Sequence, residues 1–149
     1  MQQTAVKYGI ITGTASALYL FVFHQMGAGL VLNPFVVFGQ IFISLLGAVL
    51  AVGAIRKANG GKIDRKEALK YAFAVFALSQ FLFWVFIYLL FNFLDPSIIE
   101  IQRKMMVDAG IKAENQDLRM TLAMVFQRWA FMLIPSFLLS LMVASFMKK

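Results

Sequence analysis

Hydrophobic positions along this chain fall into four long runs, at residues 8–32, 35–55, 71–94 and 118–147, with short polar connections between them. A helix needs about 20 mainly apolar residues to cross a hydrocarbon core, and each run reaches that length. The pattern predicts an all-α fold: a four-transmembrane-helix bundle forming a single integral membrane domain over 1–149.

Small residues repeat within the first two runs. Ala5, Gly9, Gly13 and Ala17 recur every four residues and include one GxxxG. Glycines at that spacing let a second backbone come close, which matters where lipid gives helices no hydrophobic drive to associate. The partner is either another helix of the same bundle or a second copy. In the second run Gln40, Ser44, Gly47, Ala51 and Ala54 fall within about 40° of one line at 100° per residue, so this small and polar face should point inward. Phe35, Phe38 and Phe42 then face lipid.

The connections carry their own signals. Asn33-Pro34 is a tight turn, because proline fixes its own φ and biases the residue before it away from helix. Asn59-Gly60-Gly61 is another turn. Asp64 and Glu67 have capping-box spacing, which starts the third helix at Arg65. That helix is rich in aromatics and ends at Asp95-Pro96, where Asp can cap a following helix and Pro suits its first turn. A short amphipathic helix over about 96–109 is expected next. Ile98, Ile99, Ile101, Met105 and Met106 lie on one side of it and Glu100, Arg103, Lys104 and Asp108 on the other, with Gly110 as its stop. Such a helix suits an outer membrane surface. The last span should begin near 116–118 and kink at Pro135, with Ser136 helping to accommodate the freed carbonyl, and Arg128 and Trp129 mark its outer interface.

Charge sets the orientation. Six of the fourteen Lys/Arg residues, Arg56, Lys57, Lys62, Arg65, Lys66 and Lys70, lie in the 56–70 connection. The Asn33-Pro34 turn has no charge, and 95–119 mixes five acids with four bases. Basic short loops stay inside. The N- and C-termini and the 56–70 loop are therefore expected in the cytoplasm, with the six cations on anionic headgroups. The first run, with the small residues Gly27-Ala28-Gly29 near its end, is too long and too poorly flanked by cations for a cleaved signal, and reads as a span.

Composition narrows the chemistry. With 61% hydrophobic and 14% charged residues, the chain has too little polar surface for a soluble fold. Its net charge of +7 sits at membrane edges, which speaks against nucleic acid as the partner. No cysteine means no disulfide and no thiolate site, and the redox compartment is left open. The 56–70 loop lacks the GxxxxGK[ST] spacing of a phosphate-binding loop. No cofactor, metal or catalytic signature is visible; Ser16 and Ser44 are serines by type only, and the spans hold no carboxylate.

The polar residues that remain form one candidate layer. His24, Gln40, Asn92, Gln127 and Arg128 fall in the outward third of their helices, and ionisable groups at such places usually face a cavity or a partner. The expected alternatives are an outward-facing polar pocket around His24, Gln40 and Arg128, or simple packing and interface contacts.

The opening KYGIITG at 7–13 and the loop GGKIDRKEALKYA at 60–72, with the mixed-charge segment beyond, resemble an uncharacterised bacterial family of small four-helix inner-membrane proteins, catalogued as a domain of unknown function. The resemblance implies a multi-pass protein of the bacterial inner membrane and brings no activity or site residue. Together these readings favour a non-enzymatic accessory or scaffold subunit of an envelope complex, with a membrane protein partner or a homo-oligomer. The competing expectation is a small carrier or lipid-handling protein using the polar layer.

Overall fold

The structure, a computed structural model, describes residues 2–112 and 120–147. Helix α1 runs from Gln2–Met26 and breaks at Gly27, after which a 3-10 turn, Ala28–Leu32, completes the first run. The sequence predicted continuous helix to residue 32; the break follows from the glycines at 27 and 29, which lower the cost of leaving the helix. Asn33 then caps α2, Pro34–Gly39, its side chain accepting from the Phe35 N–H at 2.9 Å, with Pro34 in the first turn. Helix α3, Ile41–Ala58, follows after a one-residue interruption at Gln40.

Gly60 and Gly61, at φ 74° and 87°, take the left-handed conformation that closes the next turn. The Gly61 carbonyl accepts from Arg56 Nε at 3.1 Å, and Ile63 plugs the interior with 3% exposure. Helix α4, Arg65–Leu89, starts at the predicted residue. The capping box does not form: Asp64 occupies the cap position, yet only its backbone carbonyl engages the helix, accepting from Ala68 N–H at 2.9 Å.

Helix α4 does not end cleanly at Asp95. It widens into a π turn, Leu90–Leu94, closed by Asp95 N–H on the Leu90 carbonyl at 2.8 Å. Helix α5, Ser97–Asp108, has Ile98 and Ile99 buried, and Gly110 at φ 84° stops it. The proposed start of the last span at 116–118 lies outside the described residues. Met120 and Thr121 are non-helical, and α6 spans Leu122–Met147, with the Thr121 hydroxyl accepting from Met124 N–H at 3.2 Å. Within it, Ser136 donates to the Met132 carbonyl at 2.6 Å, one residue beyond the carbonyl that Pro135 leaves without a helical donor.

Helix α4 is the centre of the bundle and packs on α1, α3 and α6, while α3 also touches α1 and α6. The two glycines of the GxxxG motif face α4: a Cβ at Gly9 would stand 2.8 Å from Leu78 Cδ2, and one at Gly13 would stand 2.7 Å from Leu82 Cδ1. Gly47 is pressed against Thr12 of α1, so both small-residue faces serve packing within the chain. Ser44, Gly47 and Ala51 are buried, Ala17 is half-buried, and Phe35, Phe38 and Phe42 lie outside at 88%, 56% and 72% exposure.

Candidate functional site

The interior is two apolar clusters with a polar belt between them. One cluster, at the 59–64 loop end, gathers Ala48, Val52, Ile55, Ala72 and Phe76. The other, at the α5 end, gathers Leu20, Val36, Phe83, Leu90 and Ile98. Between them Gln40, Ser44, Ser79 and Gln80 are fully buried.

The belt is saturated with hydrogen bonds. The two glutamine amides pair reciprocally: Gln40 Nε2 donates to Gln80 Oε1 at 2.8 Å, and Gln80 Nε2 donates back to Gln40 Oε1 at 3.0 Å. Gln80 also donates to Ser44 Oγ at 3.0 Å. Ser79 gives its proton to the Phe76 carbonyl at 3.1 Å, which leaves Ser44 as the donor across the 3.0 Å contact between the two hydroxyls. Groups so placed join α3 to α4 at a depth where water cannot replace a lost partner. The sequence reading found Gln40 and Ser44 but missed Ser79 and Gln80. The signal was there, as adjacent polar residues inside an aromatic run.

The other candidate residues lie elsewhere. His24, half-buried at the end of α1, meets Asp95 across a 2.7 Å contact from Nε2 to Oδ2. Gln25 Nε2 donates to His24 Nδ1 at 3.2 Å, so the Nε2–H is the proton aimed at Asp95. Asp95 also accepts from the Ser97 hydroxyl and, at 3.2 Å, from the Ser97 N–H. The Ser97 hydroxyl first, then His24, holds this carboxyl below its usual range. Asn92 donates to the Met120 carbonyl at 2.5 Å and lines an open groove with Tyr88 and Thr121. Gln127 is exposed on α6.

Arg128 stands apart from all of these. Its guanidinium lies 5.8 Å from the centre of the Trp84 ring, and it joins no ion pair among the described residues. It lines a cleft of about 140 Å³ whose apolar walls include Val31, Val37, Ile87, Phe91 and Met124, with Gln102 of α5 also present. Trp84 lines the same cleft, is 6% exposed, and has an indole N–H without an acceptor. The structure therefore divides the five residues among separate surroundings and does not bring His24, Gln40 and Arg128 into one cavity.

Helices α4 and α6 run antiparallel, with Phe73 on Phe137, Phe81 on Trp129 and Trp84 under Arg128. Trp129 Nε1 donates to the Ala77 carbonyl at 2.9 Å. Lys70 and Asp95 are the last charges at either end of α4, and at 1.5 Å per residue Trp84 lies about 21 Å from the first and about 16 Å from the second. On α6 itself Arg128, an exposed residue, stands six residues, about 9 Å, inside the helix start at Leu122, toward the α5 end. A charge within the apolar stretch is costly unless it faces a cavity, a counter-charge or the interface.

Four helical segments, Gln2–Met26, Pro34–Ala58, Arg65–Leu94 and Leu122–Met147, are long and apolar enough to cross a bilayer. With their interior polar belt and outward-facing phenylalanines they define a multi-pass helical membrane protein. The chain belongs to the DUF4199 family of proteins of unknown function, whose model matches residues 7–149. No curated protein and no solved structure matches it significantly.

Proposed function

We propose that this chain is a non-enzymatic accessory or scaffold subunit of a bacterial envelope complex, set in the inner membrane with both termini and the 56–70 loop in the cytoplasm. The observation that carries the reading is the use made of its interior polar groups. Gln40, Ser44, Ser79 and Gln80 bond to one another, and His24 bonds to Asp95, so these side chains hold helices together and are not free for substrate. A carrier built around His24, Gln40 and Arg128 would need the first two to be available.

Orientation is supported by the basic connection between α3 and α4. Lys57, Lys62, Arg65, Lys66 and Lys70 are exposed around that turn, and Arg56 is partly so, an arrangement suited to an anionic leaflet. The test is purification from native membranes in mild detergent, with cross-linking and mass spectrometry. A stoichiometric membrane protein partner is expected. A clean monomer or a homo-oligomer alone would refute the accessory role.

A further inference from the structure

We infer that the cleft beneath Arg128 is a binding site for the anionic group of an aliphatic amphiphile, a carboxylate or phosphate carried on an alkyl chain. Three observations converge. A guanidinium stands over Trp84, inside the apolar stretch between Lys70 and Asp95, with no carboxylate on it among the described residues. Charged groups at that depth are stable when they face a cavity or a counter-charge. Beside it is a concave site bounded by the 3-10 turn, α2, α4, α5 and α6, and most of its lining side chains are aliphatic or aromatic.

The third observation is the indole N–H of Trp84, buried, unbonded and part of the same cleft. Guanidinium, indole N–H and the Gln102 amide supply donors in excess of acceptors, which suits an oxyanion, and guanidinium pairs with carboxylate or phosphate in two-pronged fashion. Size defines the ligand further. About 140 Å³ is close to the roughly 150 Å³ of an engineered cavity that admits benzene, enough for an anionic group and a few carbons but not for a whole lipid. The remaining chain would leave along the apolar wall. Gln102, on α5, places a polar group at the rim through which an anion could enter.

This inference does not rest on the accessory role, and a failed pull-down would leave it standing. The test uses purified full-length protein in detergent, with octanoate as a soluble carboxylate and dioctanoyl phosphatidic acid as a lipid phosphate. Octanol, which has the chain without the anion, is the control. Saturable binding of octanoate, of the phosphatidate or of both is expected, with octanol at least tenfold weaker. Octanoate alone identifies a soluble acid as the source, and phosphatidate alone identifies a membrane lipid.

Arg128→Gln should weaken binding at least tenfold. Val37→Phe, which fills the cleft and keeps the charge, should do the same; circular dichroism checks that each variant is folded. Binding unchanged in both folded variants, equal binding of octanol, or no binding of either anion overturns the proposal. So does a photo-cross-linker at position 128 that captures another polypeptide chain in native membranes, since the counter-charge would then be a partner helix.

Discussion

Replacing Gln80 by leucine should expose how much the polar belt contributes. The change removes both bonds of the reciprocal amide pair and the bond to Ser44, and leaves the Gln40 amide fully buried without its partner. Hydrogen bonds between helices within membranes average about 0.6 kcal/mol and reach about 1.7, so three of them with an orphaned amide amount to a loss of about 2–4 kcal/mol. Gln40→Leu should cost a similar amount, because the pair is reciprocal. The double variant should not cost the sum. Removing both amides leaves two apolar side chains of comparable size in contact, and such an exchange is close to neutral. A double-mutant cycle should therefore return a coupling energy of at least about 2 kcal/mol. The assay is reversible unfolding in mixed micelles of dodecylmaltoside and SDS, followed by far-ultraviolet circular dichroism. Additive losses in the double variant would refute the argument, as would a Gln80→Leu cost below about 0.5 kcal/mol, which lies under the average for even one such bond.

Three further outcomes use the same unfolding assay. Gly47→Ala should lose about 1–3 kcal/mol because a Cβ there runs into Thr12; Gly53→Ala, whose nearest neighbour would be Met147 Cε at 3.5 Å, should gain about 0.5–1 kcal/mol from helix propensity. Equal effects at the two glycines would contradict the packing described for α1 and α3. Thr121→Ala should lose about 0.5–2 kcal/mol with its cap, whereas Asp64→Ala, whose side chain makes no cap bond, should lose less than about 0.5 kcal/mol. Asp95 has a lowered pKa, so its contribution is full above the unfolded-state value and is lost as pH falls through the folded-state value, below the usual carboxylate range. Asp95→Asn should accordingly be less stable than the parent at neutral pH, and the two should converge in strong acid; a gap that persists there would mean the carboxylate charge is not what stabilises the parent.

Much of the architecture was written in the order of residues, because a bilayer leaves few options. Backbone groups in hydrocarbon must bond within their own helix, so runs of the right length become spans wherever they occur. Local chemistry likewise set the Asn33 cap and the stop at Gly110, since each depends on neighbours a few residues away, while the helix start at Arg65 fell where expected without the side-chain cap that predicted it. The inward face of α3 was legible too, from a periodicity that belongs to a single helix.

What tertiary structure decided was which polar groups meet. Gln40 finds Gln80 forty positions away, and His24 finds Asp95 seventy-one positions away, so neither pairing is a property of one segment. The surroundings of Arg128 depend on the register between α4 and α6, which is set by the contacts of Phe73, Phe81, Trp84 and Trp129 across the interface. Counting along α6 alone places that arginine near the outer end of its helix; only the packing against α4 sets it over Trp84. Composition and helical period fixed the spans because the bilayer acts on each helix separately. The sites arose from side chains distant in sequence, whose encounter only helix packing can arrange.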